Sequence, residues 1–160
     1  AAEKIGQPYV TERWIGGMLT NSQTITQQIK KLKNLEKRMG SGDLEKRYSK
    51  LEVQRFQEEI DVLNSRYGGI KDLMGKPGAV VVVDAAVDAN AVREANVLGV
   101  PVFGVVDTNV NPTDVTYVVP GNDDAIKGLQ LLLDYFAQAV AEGAGSVKKA
   151  DEKPVKKEEK

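Results

Sequence analysis

The chain reads as an α/β protein, a parallel sheet into which a helical hairpin is set. Three observations predict this class. Residues 79–84 and 100–107 are continuous runs rich in valine, with no polar alternation, which marks strands covered on both faces. Helical stretches lie between and after these runs, so strand and helix alternate, and such strands run parallel through right-handed crossovers. Ahead of them, from residue 20 to residue 67, apolar residues recur every three or four positions.

In chain order, residues 1–6 read as the end of a helix stopped by Gly6, with Gln7-Pro8 as the exit and Tyr9-Val10 as a very short strand. A chain that opens by finishing an element is expected to belong to something longer. Residues 20–39 form the first long helix, capped by Thr20 or Asn21, with Ile25, Ile29, Leu32, Leu35 and Met39 on one face. Gly40-Ser41-Gly42 breaks it. A second helix is expected over 43–67, carrying Leu44, Tyr48, Leu51, Phe56, Ile60, Leu63 and Tyr67. Two such helices joined by so short a turn fold back antiparallel and bury their stripes on each other.

Gly68-Gly69 ends that hairpin. The first strand follows at 79–84, and then a short helix capped by Asp88, carrying Ala91, Val92, Ala95 and Leu98 and closed by Gly99. The second strand is 100–107 and a third, shorter one is 116–119. Gly121-Asn122-Asp123 opens the last helix, whose stripe is Ile126, Leu129, Leu133, Phe136 and Val140. The expected organisation is an α/β body from 1–19 and 68–143, a hairpin insertion at 20–67, and a Lys/Glu-rich tail at 144–160 too polar to order.

Composition excludes several chemistries. Cysteine and histidine are both absent, so there is no disulfide framework, no thiolate nucleophile and no histidine-based triad. No stretch approaches the roughly 20 apolar residues of a membrane helix, and no membrane partner is expected. Net charge is only −1, but it is unevenly spread. Residues 1–75 carry 13 Lys and Arg against 10 Asp and Glu, 76–147 carry 3 against 9, and 148–160 carry 6 against 4. A basic first half beside an acidic second half suits a polyanion at one end and proteins at the other.

The most informative segment is Arg13-Trp14-Ile15-Gly16-Gly17-Met18-Leu19-Thr20-Asn21, which holds the only tryptophan. Gly16 and Gly17 allow a phosphate or another backbone to come close, and Arg13 beside Trp14 offers a fork of donors next to a stacking face. The plainer reading makes Trp14 a core anchor and Gly16-Gly17 a turn. Lys30, Lys31, Lys33, Lys37 and Arg38 fill the outer faces of the first helix, as a phosphate-facing surface or simply as a solvated one.

Carboxylates gather where the strands end. Asp84 and Asp107 close two strands, and Asp123-Asp124 opens the last helix. Ligands of parallel sheets sit at that edge, so a divalent metal held by Asp107, Asp123 and Asp124 is one reading; loop capping is the other. The rival function is accordingly a metal- or nucleotide-binding α/β enzyme using Asp84, Asp107, Asp123 and Asp124. Neither G-x-G-x-x-G after a strand nor G-x-x-x-x-G-K-[ST] occurs.

Three ordered blocks resemble one family. Residues 13–21 are similar to the R-W-[LI]-G-G-x-L-T-N signature of the bacterial small-subunit ribosomal protein S2 family. Pro77, Val80-Val81-Val82, Asp84, Asp88, Val92, Glu94, Gly99, Val100 and Pro101 follow that family's strand–helix–strand spacing. Asp107-Thr108-Asn109, Pro112 and residues 120–126 resemble its D-T-N-x-x-P and P-G-N-D-D-A-I stretches. Members begin with a further H-F-G-H-containing segment and two more strands, so the resemblance places this chain in the C-terminal two-thirds of the family's domain.

The resemblance implies a three-layer flavodoxin-like fold with an inserted coiled-coil hairpin, no catalysis and no required cofactor. It implies a structural role in the small ribosomal subunit, in the cytoplasm or an organelle: binding 16S-type rRNA between head and body and helping to seat the mRNA-binding protein S1. The expected RNA contacts are Arg13, Trp14, Gly16, Gly17, Thr20 and Asn21, with Lys30, Lys31, Lys33, Lys37 and Arg38 on the hairpin. Recognition would rest on phosphate neutralisation and RNA shape.

Overall fold

The computed structural model describes residues 1–73 and 75–151. A single 3-10 turn, Glu3–Ile5, stands where a helix end was expected, and Gly6 closes it at φ 65 with its N–H on the Glu3 carbonyl. Tyr9-Val10 forms no strand. Its one ladder-like bond runs from the Tyr9 N–H to the Gly69 carbonyl, 3.0 Å. A side chain at Gly69 would meet the Tyr9 carbonyl at 2.2 Å, so only glycine permits this approach.

Helix α1, Ser22–Gly40, buries Ile25, Leu32 and Leu35, as its periodicity predicts. The expected second helix is in fact two, α2 (Asp43–Arg47) and α3 (Lys50–Tyr67). The break has a local cause. Ser49-Lys50-Leu51-Glu52 is a capping box in which the Ser49 hydroxyl accepts from the Glu52 N–H while the Glu52 carboxylate accepts from the Ser49 N–H at 2.9 Å. Tyr48 is thereby thrown into extended backbone, where its ring meets Phe56 edge-on at 5.1 Å and lies 5.8 Å below the Arg38 guanidinium.

α1 and α3 share one apolar cluster: Met18, Ile25, Leu32, Leu35, Ile60, Leu63, Tyr67 and Ile70, with Trp14 packed against it. Lys31 pairs with Glu59, and Asn64 donates to Glu36 at 3.0 Å. The shared core joins the two helices.

Three parallel strands follow, β1 (Val80–Val82), β2 (Val102–Val106) and β3 (Tyr117–Pro120), in that order across the sheet. β1 and β2 are shorter than the apolar runs that hold them. Helix α4, Ala89–Val97, connects β1 to β2 and packs on both. The second cluster is built here from Val82, Ala85, Val92, Ala95, Val100, Val102, Val106 and Val115, with Leu19 packed against it. Gly104 is needed for space, since an added Cβ would sit 3.0 Å from Val115 Cγ1.

Helix α5 runs from Ile126 to Asp151, past Gly143. The expected disorder from residue 144 is therefore corrected as far as Asp151, and 152–160 lie outside the described residues. Its predicted stripe is only partly covered: Leu129, Leu133 and Phe136 are half-buried, but Ile126 is 80% exposed. On the sheet, Val81 and Tyr117 are also exposed, and Tyr117 stacks on Phe103 with centroids 4.4 Å apart. The described residues thus form a mixed α/β fold around a three-stranded parallel sheet, with two apolar clusters and the 13–21 loop between them.

Candidate nucleic-acid interface

The 13–21 loop is built around a carboxylate from elsewhere in the chain. Gly17 sits at φ 91, in the left-handed region that suits glycine, and an added Cβ would also crowd the Asn21 Cβ at 3.2 Å. The Asn21 N–H closes back on the Gly17 carbonyl at 2.8 Å. This curl turns several donors inward, onto Glu94 of α4. Its Oε1 accepts from the Trp14 indole N–H at 3.2 Å and the Gly17 N–H at 2.7 Å. Its Oε2 accepts from the Leu19 N–H at 3.0 Å and from both the N–H and the hydroxyl of Thr20 at 3.1 Å.

Glu94 is 9% exposed and, among the described residues, has no basic partner, so converging dipoles hold its charge there. Burial acts to raise its carboxyl pKa, but the N–H groups of Gly17, Leu19 and Thr20 and the Trp14 indole outweigh burial and hold it below the ordinary glutamate value. Asp88, just ahead of α4, moves the other way. Burial first, then the Asp84 charge, raise it against a lowering from the Trp14 backbone N–H. Asp88 stands at the N-cap position but makes no side-chain cap bond, a correction to its expected role.

Of the residues expected to meet RNA, the structure sorts several apart. Trp14 packs on the helical cluster, and its indole N–H, the Gly17 N–H and the Thr20 hydroxyl are all committed to Glu94. Gly16 is exposed and a Cβ there would touch nothing, so its outer side is open to approach. Asn21 is exposed, with its side-chain oxygen accepting from the Thr24 hydroxyl at 3.0 Å. Arg13 is exposed, with no hydrogen bond or ion pair among the described residues.

The cations of α1 divide in the same way. Lys31 pairs with Glu59, Lys33 with Asp72 at 3.0 Å, and Arg38 with Asp43 at 3.1 Å. Lys30 and Lys37 are exposed and unpaired among the described residues. Arg13, Lys30 and Lys37 are therefore the cations of the expected set that hold no carboxylate among the described residues.

The sequence gives one signal for Glu94 that its motif spacing alone does not interpret. On α4 it lies on the same face as Ala91, Ala95 and Leu98, where an unneutralised carboxylate is costly. Its donors lie 74 to 80 residues upstream, beyond any local pattern.

The strand-end carboxylates serve their own loops. Asp84 Oδ1 accepts from the Ala86 and Val87 N–H groups at 2.8 and 2.9 Å, and Asp107 Oδ1 from the Thr108 N–H at 2.6 Å. The Asp124 N–H bonds Asn122 Oδ1 at 2.7 Å. Asp123 Oδ2 is buried without a hydrogen-bond partner, and burial, then the charges of Asp84, Asp107 and Asp124, raise its carboxyl pKa. Among the described residues no group of three carboxylates is placed to hold a metal ion. No described helix is long and apolar enough to cross a membrane.

A loop braced from within thus stands on the α/β body, beside cations that are unpaired among the described residues. The chain belongs to the ribosomal protein S2 family, whose model matches residues 1–143. It is 48% identical over 146 residues to small ribosomal subunit protein uS2 of Actinobacillus pleuropneumoniae serotype 5b (strain L20). The same identity relates it to the uS2 proteins of serotype 3 (strain JL03) and serotype 7 (strain AP76) of that organism. Each match covers 91% of this chain and 61% of the relative, so the chain spans about three-fifths of their length.

Proposed function

We propose that the chain acts as a structural, non-catalytic constituent of the small ribosomal subunit that binds 16S-type rRNA. The carrying observation is the family match over residues 1–143, which includes the 13–21 loop. The unpaired cations Arg13, Lys30 and Lys37 support it, because each neutralises a phosphate at no cost in lost ion pairs. In this reading the whole domain is three-layered and flavodoxin-like, with 20–67 as its inserted helical hairpin. It lies between head and body of the subunit, in the cytoplasm or an organelle, its acidic side facing other ribosomal proteins and helping to seat S1.

The test is co-sedimentation of the tagged 160-residue chain with small subunits lacking their own copy, followed by a high-salt wash. Retention with the subunits is expected. A chain that stays at the top of the gradient, while folded by circular dichroism, would overturn the reading.

A further inference from the structure

We propose that Glu94 is the positioning residue of the RNA-docking loop: an internal carboxylate fills an anion nest in the 13–21 segment and so fixes where Arg13 is presented. The inference rests on the rRNA reading above and deepens it by naming what sets the loop's geometry.

Five donors from four residues converge on the two oxygens of one buried side chain. Backbone N–H groups that point to one spot around a left-handed glycine form an anion receptor, and here the anion is supplied by the fold itself. An RNA phosphate therefore finds that inner face already taken. What remains outside is Arg13, exposed and unpaired, on a backbone held one residue away by the Trp14 indole and again at Gly17. Arg13 does not touch Glu94. Any dependence of one on the other must pass through the loop, which makes it measurable.

The loop also joins the two apolar clusters, with Trp14 in one and Leu19 in the other, and Glu94 ties it to α4 beneath the sheet. A guanidinium on a fixed backbone meets a phosphate without first ordering nine residues, a conformational cost of the kind that weakens binding by flexible segments. Removing the carboxylate leaves the donors facing one another across an empty nest. The loop then opens to hydrate them, and Arg13 loses its fixed direction.

The experiment is a double-mutant cycle on the full chain, read as affinity for a 16S-type rRNA transcript at fixed salt and at a temperature where every variant is folded. Arg13→Ala is expected to weaken binding roughly tenfold in the parent chain, the size of one good contact. In the Glu94→Gln background the same change should cost less than about twofold. Trp14 emission should shift in Glu94→Gln, because the amide keeps one acceptor oxygen where the carboxylate has two and turns an NH2 toward the remaining donors. Leu44→Ala, a buried position outside both apolar clusters, controls for general destabilisation and should leave the full Arg13 effect in place.

Should Glu94→Gln fail to fold, Glu94→Asp keeps the charge but draws it back by one methylene, and is expected to show partial coupling. Full additivity in whichever background folds overturns the proposal and leaves the rRNA reading standing. Equal binding by the parent chain and Arg13→Ala overturns it too, since there is then no contact to position. Absence of any rRNA binding by the parent chain overturns both readings.

Discussion

At the scale of single residues, Glu94 is the most consequential side chain in the molecule. Glu94→Ala leaves five donors without their acceptor and is expected to destabilise the fold by about 3 kcal/mol in urea titration. Its pH dependence follows from direction. The folded-state pKa lies below the unfolded value of roughly 4.3, so its contribution is fully present above that value and is lost as pH falls through the folded one. Asp88 and Asp123 are raised, so they oppose this trend, favouring the fold below their unfolded pKa and ceasing to do so as pH rises through the folded ones. Trp14 emission should therefore change in acid below about pH 4.3 in the parent chain, and this step should vanish in Glu94→Gln. A parent chain whose Trp14 signal stays flat to pH 2 while the fold persists would contradict the clamp.

Glycines along the same loop give a sharper contrast. Gly17→Ala forces a side chain to φ 91 and against Asn21, and is expected to cost about 1–2 kcal/mol. Gly16→Ala meets nothing and should change thermal stability little, although it narrows the outer approach. The two neighbours were indistinguishable in the sequence, where both read as places for close contact. Only the backbone angles and the position of Asn21 separate a glycine required by the turn from one that leaves room outside it.

Elements respond to their ends as well as to their stripes. The break at Tyr48-Ser49 depends on a capping box that was present in the sequence but hidden by a continuing apolar rhythm from Leu44 to Tyr67. Ser49→Ala should cost about 1 kcal/mol, read as a drop in melting temperature. Along α1, Lys37→Gln is expected to lower the salt slope of rRNA binding by about one unit, whereas Lys33→Gln should lower it less, because Lys33 already holds Asp72. Equal slopes for the two variants would deny that ion pairing sorts these lysines. Periodicity placed all five cations on outer faces, but carboxylates 5, 28 and 39 residues away decide which of them are spoken for.

For the molecule as a whole, two apolar clusters share one short bridge. The helical cluster and the sheet cluster are joined through the 13–21 loop, with Trp14 on one side and Leu19 on the other. Unfolding followed by Trp14 fluorescence, which reports the helical cluster, and by far-ultraviolet circular dichroism should coincide in the parent chain and separate in Glu94→Ala. Coincident transitions in that variant would mean the clusters are coupled by some other route. Exposed apolar residues on α5 and the open sheet face, such as Ile126 and Tyr117, contribute little to either cluster. Ile126→Lys should therefore shift stability by less than about 0.5 kcal/mol, against about 2 kcal/mol for Val102→Ala.

The amino-acid sequence by itself determined the α/β class with its parallel sheet, the order of the strands, the apolar stripe of α1, and a family resemblance carried by three ordered blocks. Those are properties of local periodicity and spacing, and short-range sterics and solvation write them into adjacent residues. Tertiary structure alone decided how far α5 runs, which strand-end carboxylates bond their own loops, and which lysines are paired. It also decided that the donors of the 13–21 loop turn inward, because the charge that draws them is supplied by a helix some 75 residues away. Burying a carboxylate is tolerable only where donors converge on it, and that convergence exists only once the sheet and the helical cluster have closed around the loop.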